Sequence, residues 1–255
     1  MTKINAVVLA GDNKRDFVQL GVENKSLLPT NGKPMVEYVV DALRCSSLIG
    51  KISISGPEKL LKSVLGSKVD FYAGERESMF DNITAGIRPF AGEPAVLVVT
   101  SDIPMITGEM ITDFIQCSLA QEGDFCYPIV EKQLNDMEFP GVERTYVRLK
   151  EGTFTGGNIT LFNPAKWEQC EELVKSLIRF RKKPLKTAKL LGFKFLLGLL
   201  LGTLPINKVE ERFGSLLQID AAAISVNYPE IGNDVDKPSD LEMVKRYFES
   251  KAKVF

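Results

Sequence analysis

The chain has 255 residues, of which 44% are hydrophobic and 25% charged, proportions that suit one α/β domain with a sizeable core. Its 32 Lys and Arg are balanced by 33 Asp and Glu, so it lacks the basic excess with which nucleic-acid binders neutralise phosphates. It has no histidine, which excludes Ser-His-Asp triads, histidine acid–base catalysis and the commonest zinc ligands.

Taken in order, Ile4–Ala10 is a short apolar run stopped by Gly11 and predicts a buried strand. Pro34 opens a helix in which Val36, Val39, Val40 and Leu43 share one face. Lys51–Ser55 and Val69–Tyr72 predict further strands, and Ser78–Arg88 a helix ended by Pro89. Val96–Thr100 is the strongest strand signal, followed by a helix over Thr107–Ala120 that Thr107 can cap. This βαβ rhythm implies a mostly parallel sheet with helices on both faces.

The second half reads differently. Glu143–Lys150 alternates and Asn158–Phe162 follows the Thr155-Gly156-Gly157 turn, so the two predict an antiparallel pair added to the sheet. Ala165–Arg181 has helical spacing, including Leu177 and Ile178, and Pro184 breaks it. Asn207 with Glu210 has the form of a capping box. Ala222–Tyr228 predicts a strand and Pro238–Ser250 a closing helix with Leu241, Val244 and Phe248 inward. One domain is expected over 1–255, with a nucleotide half to 130, a second half from 131 and a helical insertion over about 179–217.

Cys45, Cys117, Cys126 and Cys170 form no CxxC pair, which fits a reducing, cytoplasmic setting better than a disulfide framework. The opening MTKINAVVLAGDN has too short an apolar run for a signal peptide. Between them, Arg179, Arg181, Lys182, Lys183, Lys186 and Lys189 precede an apolar stretch to Leu204 that Lys194 interrupts. A membrane-spanning helix needs about 20 apolar residues, so spanning is not expected. The segment reads either as a buried helix pair or homodimer face, or as a basic and apolar surface for a membrane or a lipid-linked ligand.

Three segments can carry chemistry. Leu9, Ala10, Gly11, Asp12, Lys14 and Arg15 follow the first strand, with Lys25 beyond them, where α/β sheets bind ligands. Gly11 admits a phosphate to the backbone, and the cations can compensate its charge; the plain alternative is a strand end with solvated lysines. Asp102, directly after the best strand, can hold Mg²⁺ through oxygen or simply make the turn before Pro104. Asp234 and Asp236 project to one side of an extended segment, unless Asp236 only caps the closing helix.

Leu9-Ala10-Gly11, Lys25-Ser26-Leu27-Leu28, Asn31-Gly32-Lys33-Pro34-Met35, Val98-Val99-Thr100-Ser101-Asp102-Ile103-Pro104 and Asp234-Val235-Asp236-Lys237-Pro238-Ser239-Asp240-Leu241 together resemble the MobA-like nucleotidyltransferases. The resemblance implies a Rossmann-like, GT-A-type mixed sheet and transfer of a nucleotidyl group from CTP or GTP to a small acceptor. It implies Leu9–Gly11 as nucleotide contacts, Lys25 as a phosphate-binding catalytic group and Mg²⁺ on Asp102 and Asp236; position and charge add Asp12 and Lys14 to the nucleotide contacts, Arg15 to the catalytic groups with Lys25 and Asp102, and Asp234 to the metal set. Gly74–Met79 resembles a nucleobase-contacting segment, with Ser78 as the contact or as a helix cap. Thr155, Gly156, Gly157 and Asn158 resemble an acceptor loop or form a plain turn.

The first loop departs from the family pattern. Only Gly11 remains of a usually glycine-rich stretch, and Asp12 would repel a triphosphate unless a cation intervenes. A phosphate or carboxylate acceptor is ionised at pH 7 and needs no general base, so the absence of histidine is no obstacle; a hydroxyl acceptor would need a base such as Asp234. Two rivals remain open at this stage: a GT-A glycosyltransferase, and a non-catalytic nucleotide-binding or membrane-associated protein.

Overall fold

The computed structural model describes residues 3–11, 21–180 and 191–252, with side chains to 176 in the middle stretch. In chain order the elements are β1 (Ile4–Leu9), β2 (Pro29–Thr30), β3 (Lys33–Pro34), α1 (Met35–Cys45), β4 (Ile49–Ser55), α2 (Glu58–Leu65), β5 (Phe71–Gly74), α3 (Met79–Ile87) and β6 (Val96–Thr100). There follow α4 (Gly108–Ala120), β7 (Phe125–Glu131), α5 (Lys132–Glu138), β8 (Val147–Arg148), β9 (Thr153–Gly156), β10 (Ile159–Phe162), α6 (Trp167–Phe180), α7 (Phe193–Leu200), α8 (Ile206–Leu217), β11 (Ala221–Ser225) and α9 (Pro238–Ala252).

The strands β5, β4, β1 and β6 lie side by side and run parallel. Parallel strands need crossovers, and α1, α2 and α3 supply them. Alternation along β1 buries Ala6 and Val8 with one set of apolar residues and Val7 with another. The first set includes Val36, Val39 and Leu43 of α1 and Ile111 and Phe114 of α4; the second includes Ile83 and Ile87 of α3. Gly86 lets α3 lie directly on β1, because a Cβ there would overlap Val7.

The mixed character enters at β10, which is antiparallel to both β6 and β7. The expected antiparallel addition exists, but its pairing differs from the expected one. β8 pairs with β9, and β10 is inserted between β6 and β7. Thr153–Gly156, expected as part of a turn, is a strand antiparallel to β7. The chain crosses from β9 to β10 through Gly157 and Asn158, whose N–H groups donate to Pro128 O and Ile231 O, both at 3.0 Å. A side chain at Gly157 would meet Ile231 at 2.6 Å and Pro128 at 2.8 Å, so only glycine fits.

The expected capping box at Asn207 does not form. Helix α8 starts at Ile206 behind Pro205, so Asn207 lies inside it, and Glu210 accepts from Ala223 N at 2.7 Å instead. At the other expected cap, Thr107 does accept from Met110 N, at 3.3 Å. Phe193 and Leu200 of helix α7 are exposed, as is Leu201 directly after it. Leu177, Ile178 and the basic run Arg179–Lys189 fall outside the described side chains. No described helix is long and apolar enough to cross a membrane.

Candidate active site

Adjacent parallel strands present their carboxyl ends together, so β1 and β6 deliver Leu9–Gly11 and Asp102 to one edge of the sheet. Ser101 N donates to Leu9 O at 3.1 Å, which fixes the two exits against each other. Buried Asn24 then ties Lys25 to this edge. Its Nδ2 donates to Ala10 O at 3.0 Å, and its Oδ1 accepts from Ser26 N at 2.8 Å as the cap of a short 3-10 turn over Lys25–Leu27.

The third contributor arrives from the far end of the chain. Val235 is fully buried against a cluster that includes Leu28, Met35 and Met105, and its N–H donates to Asp102 O at 2.9 Å. Asp236 does not cap α9. Asp240, one turn into that helix, accepts from Asp236 N at 2.9 Å and Lys237 N at 3.0 Å. This is the reaching-back half of a capping box, and it leaves the Asp236 carboxylate to the site.

Lys25 Nζ lies 2.7 Å from Asp102 Oδ2 and 2.7 Å from Asp236 Oδ1. Burial alone would lower the lysine, but the Asp102 and Asp236 carboxylates outweigh it and hold Lys25 above its usual range. For Asp236, burial works upward, and the Lys25 ammonium prevails and holds the carboxyl low. For Asp234, burial and then the charges of Asp102 and Asp236 prevail over Arg144, whose Nη1 lies 3.9 Å from its Oδ1, and push it up to about 7. Arg144 steadies this end, with Nε donating to Asn233 Oδ1 at 2.9 Å and Nη2 to Asp234 O at 2.8 Å.

Oxygen atoms of Asp102, Asp234 and Asp236 lie within 4.8 Å of one another. Asp102 Oδ1 is buried and has no hydrogen-bond partner among the described residues. An orphaned carboxylate oxygen inside an all-oxygen cluster fits a hard divalent cation such as Mg²⁺.

Other expected residues are distributed as follows. Thr155, Gly156, Gly157 and Asn158 line a cleft together with Asp234 and Asp236, so the acceptor-side segment meets the carboxylates. Gly11 lies against Asn82, which would sit 3.0 Å from an added Cβ. Ser78 caps α3: its Oγ accepts from Asp81 N at 3.1 Å and donates to Asp81 Oδ2 at 2.5 Å, so the hydroxyl is engaged. Asp12, Lys14 and Arg15 lie outside the described residues.

Three residues of the site region carried no sequence signal: Asn24, Asn82 and Arg144. Buried Asn82 accepts from Arg76 N at 2.9 Å and donates to Ser78 O at 3.1 Å, shaping the segment opposite Gly11. Each is a lone polar residue whose partners are distant in sequence or across a loop; an Asn directly before a phosphate-type lysine is the one recognisable hint.

The MobA-like NTP transferase domain model matches residues 6–185. Among curated relatives, the bifunctional protein GlmU of Alcanivorax borkumensis is 31% identical over 102 residues, which is 37% of this chain and 23% of that protein. The chain thus spans less than a quarter of the length of the GlmU proteins it matches. A structure from Thermus thermophilus titled a hypothetical transferase superposes with a TM-score of 0.85 at 36% identity, covering 94% of this chain and 100% of that one. CMP:2-keto-3-deoxy-manno-octonic acid synthetase complexed with CTP shares the fold, with a TM-score of 0.63 at 12% identity over 98% of this chain and 100% of the other. Motif order, the meeting of its carboxylates at one sheet edge and the domain match converge: the chain belongs to the MobA-like NTP transferase family.

Proposed function

We propose that this protein transfers a nucleotidyl group from CTP or GTP to a phosphate- or carboxylate-bearing acceptor and releases pyrophosphate. The observation that carries the reading is the bridge from Lys25 to Asp102 and Asp236, with Asp234 alongside, at the carboxyl edge of parallel strands. The relatives supply the class: the synthetase that shares the fold is titled as complexed with CTP.

The acceptor oxygen, already ionised at pH 7, attacks the α-phosphorus. A new P–O bond forms as the bond to the β-phosphate oxygen breaks, and that oxygen leaves with the electron pair as pyrophosphate. No proton has to move, so the chain's task is positioning and charge compensation. Leu9–Gly11 receive the nucleotide at the end of β1. Lys25, oriented by Asn24, presents its ammonium to the phosphates. Arg144 holds the Asp234 segment, and Thr155–Asn158 border the acceptor. Asp102, Asp236 and Asp234 would hold Mg²⁺, which when bound supplies charge neutralisation for the departing pyrophosphate.

The test is a thermal-shift panel of the four ribonucleoside triphosphates with and without Mg²⁺, on the wild type and on Asp102→Ala. Binding to the native state raises Tm by mass action. A base-selective, Mg²⁺-dependent rise for CTP or GTP that Asp102→Ala loses is the expected result, together with pyrophosphate release once an acceptor is present. No rise with any triphosphate at millimolar concentration overturns the reading.

A further inference from the structure

The polar cleft beside Asp234 and Asp236 has a volume of about 740 Å³. A second cavity of about 730 Å³ adjoins it, and the two share Tyr127, Val147, Thr155, Gly156, Gly157 and Asn158 as a common wall. The chemistry changes across that wall. The first cavity is lined by Arg144, Lys237 and the two aspartates, while the second is lined by residues such as Ile83, Val98, Ile129, Phe154, Val209 and Phe213. Among the described residues Glu210 is the one charged residue lining the apolar cavity, and its carboxylate already accepts from Ala223 N at 2.7 Å.

The cavity lies over central strands of the sheet. Such strands are ordinarily covered on both faces. Here Tyr127 of β7 is 37% exposed, although β7 has neighbours on both edges. Both α3 and α8 wall the space without filling it, through Ile83 and Val209. Leu199 of α7 also lines it, while Leu200 of that helix and Leu201 directly after it are exposed. A hollow of this size falls in the range of built ligand sites. Apolar walls meet no hydrogen-bonding need of water, so the fitting occupant is a hydrocarbon.

Resting on the transferase reading, we propose that the acceptor is an amphiphile. Its phosphate head occupies the polar cleft beside Asp234 and Asp236, and one alkyl or isoprenoid chain occupies the adjoining cavity. Tyr127 stands on the shared wall with its hydroxyl packed over Gly156, so its ring borders both spaces. Of the segment 179–204, read from sequence either as a buried or dimer-forming helix pair or as a membrane or lipid-binding surface, Leu199 lines this cavity.

Trp167 is the single tryptophan of the chain and lines the cavity, so it reports occupancy directly. The full-length protein, with Mg²⁺, is titrated with n-alkyl monophosphates from butyl to dodecyl below their micelle concentrations while Trp167 emission is followed. Each methylene that enters the cavity tightens Kd roughly fourfold, the equivalent of about 0.8 kcal/mol, until the space is full and the affinity levels. Val209→Trp shortens the longest chain accepted; should it not fold, Ala223→Leu fills the same cavity beside Tyr127. A Kd independent of chain length, or an unchanged length series in the filled variant, overturns the proposal. The triphosphate panel separates the two failures. A triphosphate shift without a chain-length series overturns the amphiphilic acceptor alone. A chain-length series without any triphosphate shift overturns the transferase reading and the acceptor role with it.

Discussion

Strands β1 and β7 are both central to the sheet, yet they are treated in opposite ways. Ala6, Val7 and Val8 of β1 are fully buried between two helical layers. On β7, Cys126 and Val130 are equally buried on one face, but Tyr127 and Ile129 look into open space on the other. The first region is packed to its limit and holds charged groups at defined distances. The second gives up packing and keeps volume. A dense frame suits fixed charges, whereas a hollow leaves volume that the sheet's own side chains do not fill.

The comparison can be broken at several points. The largest effect is expected at Asp102, where Asp102→Ala should lower the rate of pyrophosphate release by about 10²–10³-fold, the scale seen when one preorganised electrostatic contact is lost. Initial rates with a coupled pyrophosphate assay check it, and a loss of less than tenfold removes Asp102 from the chemistry. Next, Leu97→Ala in the packed region should cost about 2–5 kcal/mol in denaturant unfolding. Ile129→Ala, which borders the hollow, should cost clearly less, because no new void is created around a wall that already faces one. Equal losses at the two positions would mean the hollow is closed in solution.

Asn24→Ala removes a buried group with three hydrogen bonds and should cost about 1–3 kcal/mol. For a domain of this size, about 2–4 °C of Tm corresponds to each kcal/mol. Because Asn24 orients Lys25, its loss should also weaken the triphosphate-induced Tm rise, which a purely structural role would leave unchanged. Asp240→Ala should cost about 0.5–2 kcal/mol by freeing the N-terminus of α9. The smallest effect is at Asn207: with no capping box there, Asn207→Ala should stay within about 0.5 kcal/mol of wild type.

The parallel half was legible because each strand there is a short apolar run between turn residues and each helix carries a buried stripe. β6 was read at its observed bounds, Val96–Thr100. β7 was not read as a strand. Pro128 interrupts the run, and proline normally marks an edge or the end of a strand. Here Pro128 faces Ile224 in the parallel ladder with β11, and the position its missing N–H would occupy coincides with the crossing at Gly157. Helix α5 escaped notice because it is short and polar, with Asn135 its buried residue. At the site, the aspartates and Lys25 were legible as motif residues at strand ends. Asn24 and Arg144 were not, because their bonds to Ala10 and Asp234 span 14 and 90 residues; Asn82 was not, because its bonds to Arg76 and Ser78 close an irregular loop with no periodic signal.

The bond from Val235 to Asp102 and the contact of Lys25 with Asp236 join positions 211 residues apart in the latter case. A chain emerging from the ribosome can therefore assemble its parallel strands long before it possesses a complete carboxylate cluster. A nascent or truncated product that ends before Asn233 would lack two of the three carboxylates and the helix whose Phe248 stacks on Tyr38 at 4.8 Å. The cluster thus waits on the segment that carries Asp234 and Asp236, and a fragment ending before it would keep the parallel strands with Asp102 alone of the three carboxylates.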